Sequence, residues 1–225
     1  MEKDIDNTEE KDYKDVFLAR ELKNAIPSGK YEFPTIEAID AKPKHLVPFS
    51  KITNPNYEIK QGTWVHFYEV DKVFQKMANN PSKYFKFLER CEGVIGMDNS
   101  VYRNMPWYMQ FRDVAKNREI DYILQNNGFN LIPNVRVGDE RTYEFGLVGL
   151  PQYSTIAVGA LGNIKEKRNF KYFKEGLDFI VKNLFPIRIV FYGIVPEYIV
   201  KKYRDMGIDI LMFPTEISKV DWKEV

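Results

Sequence analysis

The chain has 225 residues, enough for one large domain with a buried core that needs no disulfide bonds. Hydrophobic residues make up 44% and charged residues 29%, ordinary globular values that exclude general disorder. The formal net charge of +1 excludes a uniformly basic surface, so a nucleic-acid partner would need a local basic patch.

The cysteine and histidine content restricts the metal chemistry that is open to the chain. Cys91 is the only cysteine, and His45 and His66 are the only histidines. A disulfide framework is therefore excluded, and a thiolate or histidine-rich metal site is disfavoured. We expect no cofactor, with magnesium on oxygen ligands as the one metal left open.

The apolar runs of the chain are short. None reaches the roughly 20 residues that a membrane helix needs, and the first residues are acidic, unlike a secretion signal. We therefore expect a cytoplasmic protein with no membrane partner. The oligomeric state is not defined by the sequence.

Residues 1–45 are expected to form a tail and a lead-in segment. Residues 1–12 are charged and lack periodicity, which is typical of a mobile tail. The apolar spacing from Tyr13 to Ala25 predicts an amphipathic helix that ends at the turn residues Pro27-Ser28-Gly29. Two prolines in 31–44 indicate an extended covering segment.

Residues 46–225 are expected to form a single α/β domain, because short apolar runs alternate with segments of helical spacing. This alternation, at roughly 30-residue intervals, indicates repeated βα units and a parallel sheet. We predict a TIM-barrel-like arrangement of about seven βα units, complete or incomplete, with an open parallel sheet as the alternative. The predicted strands are 46–49, 64–68, 94–97, 129–132, 155–158, 187–192 and 208–213, and the predicted helices are 73–89, 107–125, 170–184 and 197–205.

Asp98 is the leading candidate for chemistry, because it ends the buried run 94–97 and is followed by Asn99 and Ser100. The carboxyl ends of parallel strands are where ligands bind and catalytic residues collect. With Asp139 as a second carboxylate, Asp98 could serve as nucleophile or base in glycosyl transfer or hydrolysis, reactions that use two carboxylates. The alternative is that Asp98 only caps the following loop or helix.

A second polar group, Asn134, Arg136 and Asp139, follows the run 129–132. We expect these residues at the same sheet edge as Asp98. The planar fork of Arg136 suits a phosphate or a carboxylate, although an ion pair that merely rigidifies the loop remains the alternative. Asn134 and Asn99 are expected to orient the ligand, with Ser100 beside them.

His66 lies on the same side of its predicted strand as two aromatic residues. It is a candidate general acid or base, and a satisfied core histidine is the alternative. Gly159 follows the run 155–158 and allows close approach of a ligand. Lys165 begins a basic stretch with interleaved aromatics, which is typical either of nucleic-acid contact or of a solvated helix start. Tyr192, at the end of the run 187–192, completes the expected ligand-binding set.

Several of these residues belong to a longer string of motifs. The string comprises Asp98-x-Ser100-x-Tyr102, Met105-Pro106, Arg118, Gln125-x-x-Gly128, Ile132-Pro-Asn-x-Arg136-x-Gly-Asp139 and Tyr192-Gly193. It resembles the family catalogued as domain of unknown function 4417, which occurs in bacteria, phages and mobile elements. The resemblance covers roughly 46–213 and implies phage or mobile-element ancestry with no established activity. The family has tryptophan where Val137 stands and a Thr/His-Gly element near 160–162, and these departures imply altered specificity if those positions contact substrate.

A weaker similarity, at the level of the fold alone, is to tRNA-guanine transglycosylases and their phage DNA-modifying relatives. It rests on Asp98-x-Ser100, the run 155–158 and Phe191-Tyr192-Gly193. Those enzymes are TIM barrels, and their zinc-binding cysteines are missing here. The similarity adds to the barrel expectation and does not define a function.

Three classes of function follow from these observations. The leading hypothesis is a phage or mobile-element enzyme that acts on a nucleotide, nucleoside or nucleic acid, by glycosyl transfer or hydrolysis, at the carboxyl end of the strands. The first alternative is a non-catalytic binding module that sequesters a host protein or a small ligand. Such a module would pair its loop carboxylates internally and use exposed aromatics such as Tyr102 and Trp107. The second alternative is a replication-associated nucleic-acid binder.

Overall fold

The computed structural model describes residues 18–160 and 167–215 of the chain. The strands are β1 (Pro27–Ser28), β2 (Phe33–Pro34), β3 (His45–Pro48), β4 (Thr63–His66), β5 (Gly93–Ile95), β6 (Leu131–Ile132), β7 (Thr155–Gly159), β8 (Arg188–Tyr192) and β9 (Asp209–Phe213). The helices are α1 (Ala19–Leu22), α2 (Phe49–Ile52), α3 (Asp71–Asn79), α4 (Phe85–Leu88), α5 (Trp107–Asn126), α6 (Lys167–Leu184) and α7 (Glu197–Asp205). In these two segments, no helix combines the length and the apolar content that crossing a bilayer requires.

Strands β3 to β9 are parallel, and neighbours in the sheet are neighbours along the chain. Strands β3 to β6 form one ladder and β7 to β9 a second, and a single parallel bridge between Asn134 and Ala157 links the two. This order is the pattern of repeated βα units, so the parallel α/β class is confirmed. Across the residues that the structure describes, no ladder joins β9 back to β3. Barrel closure therefore stays a prediction, and an open parallel sheet is compatible with the ladders.

The two faces of the strands bury different clusters, because successive side chains along a strand point to opposite sides. On one face, Val65 packs with α3 and α5, and Phe191 packs with α6 and α7. The opposite face forms a separate apolar group, which we call the inner cluster. Every strand from β3 to β9 contributes to the inner cluster, through Leu46, Trp64, Ile95, Ile132, Ala157, Val190 and Leu211.

The extended lead-in segment crosses the amino ends of β7 and β8. The backbone N–H of Thr155 donates to the carbonyl of Ile39 at 2.7 Å. The guanidinium of Arg188 donates to the Asp40 carboxylate at 2.5 Å and to the carbonyl of Ala41 at 2.9 Å. The extended covering segment predicted before β3 is therefore confirmed and is tied to the sheet.

Two predicted helices are wrong in their extent. The helix predicted from Tyr13 to Ala25 is limited, among its described residues, to α1, and Pro27 instead begins β1, which pairs antiparallel with β2. The helix predicted over 73–89 is divided into α3, a 3₁₀ turn at Pro81–Tyr84, and α4. Pro81 lacks the N–H needed to continue α3, which explains the break. The tail predicted at 1–12 lies outside the described residues.

Candidate functional site

A chain of hydrogen bonds centred on Asp98 joins the carboxyl ends of β4, β5 and β6. The Oδ1 atom of Asp98 accepts from Asn134 Nδ2 at 2.8 Å, and Asn134 Oδ1 accepts from Tyr68 Oη at 2.9 Å. Arg136 Nε lies 3.4 Å from the same Asp98 oxygen. The structure thus brings Asp98, Asn134 and Arg136 together and adds Tyr68. We call these four residues the Asp98 cluster.

Burial dominates the electrostatics of the Asp98 cluster. Asp98 is 5% exposed, and burial raises the pKa of its carboxyl to about 6 although Arg136 and Asn134 favour the charged form, while Asp71 adds to the increase. Burial, together with the charge of Asp98, also raises the pKa of the Tyr68 hydroxyl well above its usual value. A carboxyl that titrates near neutral pH can act as either acid or base.

His66 and Tyr192 form an aromatic stack with Tyr68 beside the cluster. The rings of Tyr68 and Tyr192 are parallel within 8° at 4.9 Å, and the His66 ring centre lies 4.3 Å from that of Tyr192. His66 is buried, and its Nδ1 accepts the backbone N–H of Tyr68 at 3.2 Å, which assigns the proton of the neutral ring to Nε2. These contacts favour the core-histidine alternative, and the acid–base role of His66 stays a prediction.

Asn99 and Ser100 connect the Asp98 loop to the neighbouring helices. Asn99 Nδ2 donates to Asn117 Oδ1 on α5 at 2.7 Å, and Asn99 Oδ1 accepts from Gln75 on α3 at 2.8 Å. Ser100 Oγ donates to Asp71 Oδ1 at 2.8 Å. The geometry favours a positioning role for both residues, and their contact with a ligand stays a prediction.

Asp139 is held within its own loop. Its Oδ1 accepts the backbone N–H of Arg141 at 3.1 Å and so caps the 3₁₀ turn Glu140–Thr142, and its Oδ2 lies 3.0 Å from Arg141 Nη2. Asp98, in contrast, is joined to Asn134 and Arg136. Asp139 is therefore paired locally with Arg141, and its role as a second catalytic carboxylate stays a prediction.

A cleft of about 690 Å³ lies beside the Asp98 cluster, between the loops after β5 and β6, the end of β7, and α6. Arg136 lines the cleft and connects it to Asp98. Gly159 also lines it, where a Cβ would lie 3.0 Å from the Tyr68 ring and 3.4 Å from Arg136 Nη1, so a side chain would crowd both residues. The volume is typical of small-molecule sites. Lys165 lies outside the described residues.

The cleft also contains Arg103, a residue that the sequence did not single out, beside Asn169 and Tyr172 of the aromatic stretch that follows Lys165. Arg103, from the loop after β5, places its guanidinium 4.1 Å from the ring centre of Tyr172 on α6 and donates to Asn169 Oδ1. Arg103 and Tyr172 are far apart in the chain, so no local pattern indicates their contact. The position of Arg103 shortly after Asp98 was the one available signal.

A buried ion pair supports the Asp98 cluster from α5. Asp121 Oδ1 accepts the backbone N–H of Met97 at 2.8 Å, and the carbonyl of Met97 accepts from Asn134 at 2.9 Å. Arg118 Nη1 lies 3.8 Å from Asp121 Oδ2. Burial raises the pKa of Asp121 to about 7 and lowers that of Arg118 to about 10, because each is nearly inaccessible to water. Asp121 thus positions the backbone that holds Asn134.

The part of the chain that the structure describes contains no preformed metal site. In 18–160 and 167–215, no three His, Cys, Asp or Glu side chains are grouped so that they could hold a metal ion. Oxygen-ligated magnesium usually keeps several waters and relies on substrate phosphates. The magnesium expectation therefore stays a prediction.

Residues 26–214, which include the whole Asp98 cluster, match the family described as "Domain of unknown function (DUF4417)". The chain belongs to this family. The match confirms the resemblance based on the motif string. No activity accompanies the family description, so the function has to be argued from the site.

Two similar proteins come from mycobacteriophages. The "Gene 1 protein" of Mycobacterium phage L5 is 25% identical over 166 residues, which cover 74% of this chain and 72% of that protein. The "Gene 1 protein" of Mycobacterium phage D29 is 22% identical over 173 residues, covering 76% of this chain and 64% of that protein. The chain thus spans about two thirds of the D29 protein. No solved structure matches the chain.

Proposed function

We propose that this DUF4417 member is an enzyme that binds a nucleotide-like ligand in the cleft and uses Asp98 for acid–base chemistry on it. The observation that supports the proposal is the pair formed by Asp98 and Arg136. A buried carboxylate with its pKa raised to about 6 contacts an arginine that lines a ligand-sized cleft. Perturbed carboxyls beside clefts are characteristic of catalytic sites.

In this proposal Arg136 binds the phosphate of the ligand. The Nε atom of Arg136 faces Asp98. The side chain is 24% exposed, so a phosphate oxygen can reach its Nη1 and Nη2 atoms. An anion there would also compete with Asp98 for Arg136. The ligand and the catalytic carboxylate would then be coupled through one guanidinium.

Asp98 then serves as the proton carrier for hydrolysis or transfer at a glycosidic bond. As an acid it protonates the departing group while the glycosidic bond breaks, and the carboxylate so formed then accepts the proton of the water or hydroxyl whose oxygen bonds to the anomeric carbon. Because Asp139 is tied to Arg141, we assign the acid–base role to Asp98 alone and do not invoke a pair of opposed carboxylates.

We also propose that β3 to β9 form an incomplete barrel of the TIM type. Three features support this: parallel neighbours in chain order, an inner cluster to which every one of these strands contributes, and a polar site at their carboxyl ends. Catalytic sites of TIM barrels lie at that end of the strands.

A non-catalytic binding module is the second candidate. Its supporting observations are that both loop carboxylates have internal partners and that Tyr102 and Trp107 are exposed. If it is correct, alanine at Tyr102 or Trp107 will weaken function more than a change at Asp98. The nucleic-acid binder would instead show steep salt dependence.

The proposal is tested by ligand binding and turnover in matched variants. Nucleoside monophosphates, nucleosides and ribose 5-phosphate, with and without magnesium, are screened by thermal shift, and base release is followed chromatographically. A phosphate-bearing ligand should raise the melting temperature of the parent, since saturation to 100 times Kd adds about 2.7 kcal/mol. Arg136→Ala should lose this effect. Asp98→Asn should keep binding and lose about 10²–10⁴-fold in turnover.

The control for this experiment is Arg204→Ala, which removes a surface arginine of α7 that pairs with Glu197. It should behave like the parent in both assays. Full turnover in Asp98→Asn, or parent-like phosphate binding in Arg136→Ala, would contradict the proposed function.

A further inference from the structure

We infer that Arg103, Tyr172 and Asn169 mark a nucleobase subsite in the cleft, and that it takes a base bearing an exocyclic amino group. This inference rests on the proposed function and specifies its ligand. The phosphate contact at Arg136 would be shared by any sugar phosphate. A base subsite would restrict the ligand to amino-bearing nucleotides.

The Arg103 side chain makes the same contacts that such a base would make. Its guanidinium lies 4.1 Å from the Tyr172 ring centre, close to the separation of stacked planar groups, and it donates an N–H to Asn169 Oδ1. A base with an exocyclic amino group is likewise planar and has an N–H donor at its edge. Arg103 therefore occupies the subsite as an internal stand-in for the ligand.

The two partners of Arg103 are presented together by α6. Asn169 and Tyr172 are three residues apart on this helix, so their side chains lie on the same face. Tyr172 supplies a stacking surface, and the carboxamide oxygen of Asn169 supplies an acceptor for a base edge. Stacking provides affinity for any base, whereas the Asn169 oxygen accepts from the amino group at the N6/N7 edge of adenine, where hypoxanthine has only acceptors.

The cleft has room for the rest of a nucleotide. Its volume of about 690 Å³ falls within the range of sites for small molecules and cofactors. Gly138 and Gly176 line it, and a Cβ on Gly176 would lie 2.8 Å from Val137, so a side chain at Gly176 would crowd Val137 in the wall of the cleft. Arg136 lines the same cleft, and a nucleotide carries its base at C1′ and its phosphate at C5′ of the ribose, so the two groups can contact different residues of the cleft.

Binding requires the base to replace the Arg103 guanidinium on the Tyr172 ring. Arg103 lies between the exposed residues Tyr102 and Asn104 of its loop, so its side chain can turn away from Tyr172 into solvent. Arg103 is thus a competitor of the ligand. Its removal should tighten the binding of a nucleotide and leave the binding of a sugar phosphate unchanged.

The test is isothermal titration of the full chain with AMP, IMP and ribose 5-phosphate. AMP and IMP differ at the amino group, and ribose 5-phosphate lacks the base. We expect AMP to bind about tenfold more tightly than ribose 5-phosphate, a factor that corresponds to about 1.4 kcal/mol, and IMP, which stacks but lacks the amino group, to bind with intermediate affinity. Tyr172→Leu should remove that advantage and leave ribose 5-phosphate unchanged, Tyr172→Phe should keep it, and Arg103→Ala should increase it. Tyr108→Leu, on the exposed face of α5, is the control.

The outcomes separate this inference from the proposed function. If ribose 5-phosphate binds through Arg136 and AMP binds no better, the base subsite is overturned while the phosphate contact stands. Equal affinities for AMP and IMP overturn the amino-group selectivity, and with it the inference as stated. If none of the three ligands binds, both proposals fail. An AMP advantage that persists in Tyr172→Leu places the base elsewhere and also overturns the inference.

Discussion

At the scale of single residues, burial and the polar contacts of Asp98 shift the pKa of its carboxyl in opposite directions. Burial raises its pKa from 3.8 to about 6, although Arg136 and Asn134 favour the ionised form. As pH rises through this window, the unfolded chain loses the Asp98 proton first and the folded chain retains it. The folded state is therefore destabilised progressively between about pH 4 and pH 6, and the cost is constant above that range.

Asp98→Asn should remove this pH-dependent cost. Relative to the parent, we expect the free energy of unfolding of the variant to rise between pH 4 and pH 6 by at most about 1.4 kcal/mol per pH unit, and then to level off. Urea unfolding at pH 4.5, 5.5, 6.5 and 7.5 measures the difference. Asp205→Asn, at an exposed pair with Lys201, is the control and should show little change. A difference for Asp98→Asn that does not vary with pH would contradict the assignment.

At the scale of elements, glycines with positive φ end two helices and fix one loop. Gly128 follows α5 with φ 84°, and Gly207 follows α7 with φ 88°, and neither has a neighbour within 4 Å of a Cβ position. Gly149 has φ 79°, and a Cβ there would lie 2.4 Å from the carbonyl oxygen of Pro34. At Gly128 and Gly207, glycine is required only for the left-handed backbone conformation. At Gly149, it is also required because a side chain would collide with the backbone of β2.

This difference predicts unequal costs for the same substitution. Gly207→Ala should lower the free energy of unfolding by about 1 kcal/mol, the cost of a left-handed alanine. Gly149→Ala should cost at least about 2 kcal/mol more, since a backbone carbonyl cannot yield as a flexible side chain does. Chemical denaturation of both variants at pH 7 measures the two values. Equal losses would show that the contact between the Gly149 loop and β2 is not rigid.

At the scale of the whole molecule, Arg188 fastens the lead-in segment to the sheet. From the amino end of β8 it contacts Asp40 and Ala41 in the lead-in and Asp209 in β9, the last at 2.8 Å. The side chain is largely buried, whereas its carboxylate partners are more exposed. One guanidinium therefore joins the segment before β3 to the last two strands.

Arg188→Met should loosen this connection without unfolding the chain. We expect a loss of about 2 kcal/mol in the free energy of unfolding, the scale of lost hydrogen bonds to charged groups. Amide hydrogen exchange should increase over residues 36–44, as followed by mass spectrometry. Arg188→Lys should fall between the parent and Arg188→Met, because lysine retains the charge but not the planar fork. Protection of 36–44 that stays unchanged in Arg188→Met would contradict this role.

The order and type of the main elements could be predicted because they depend on local patterns. Apolar runs with β-branched residues indicated β3 to β9, and Asn127-Gly128 and Met206-Gly207 indicated two helix ends. The interruption at Pro81 was missed because apolar periodicity continues on both sides of it. Whether the strands close into a barrel depends on pairing between strands that are far apart in the chain. The local sequence pattern carries no information about that pairing.

The sequence by itself determined the family, the parallel α/β class, and the positions of Asp98, Asn134 and Arg136 at strand ends. Their convergence follows because the carboxyl ends of parallel neighbours share one edge. Only the tertiary structure decided that Arg103 contacts Tyr172 and Asn169 beside the cleft. Those contacts depend on how α6 packs against the loop after β5, and no local spacing in the chain encodes such distances.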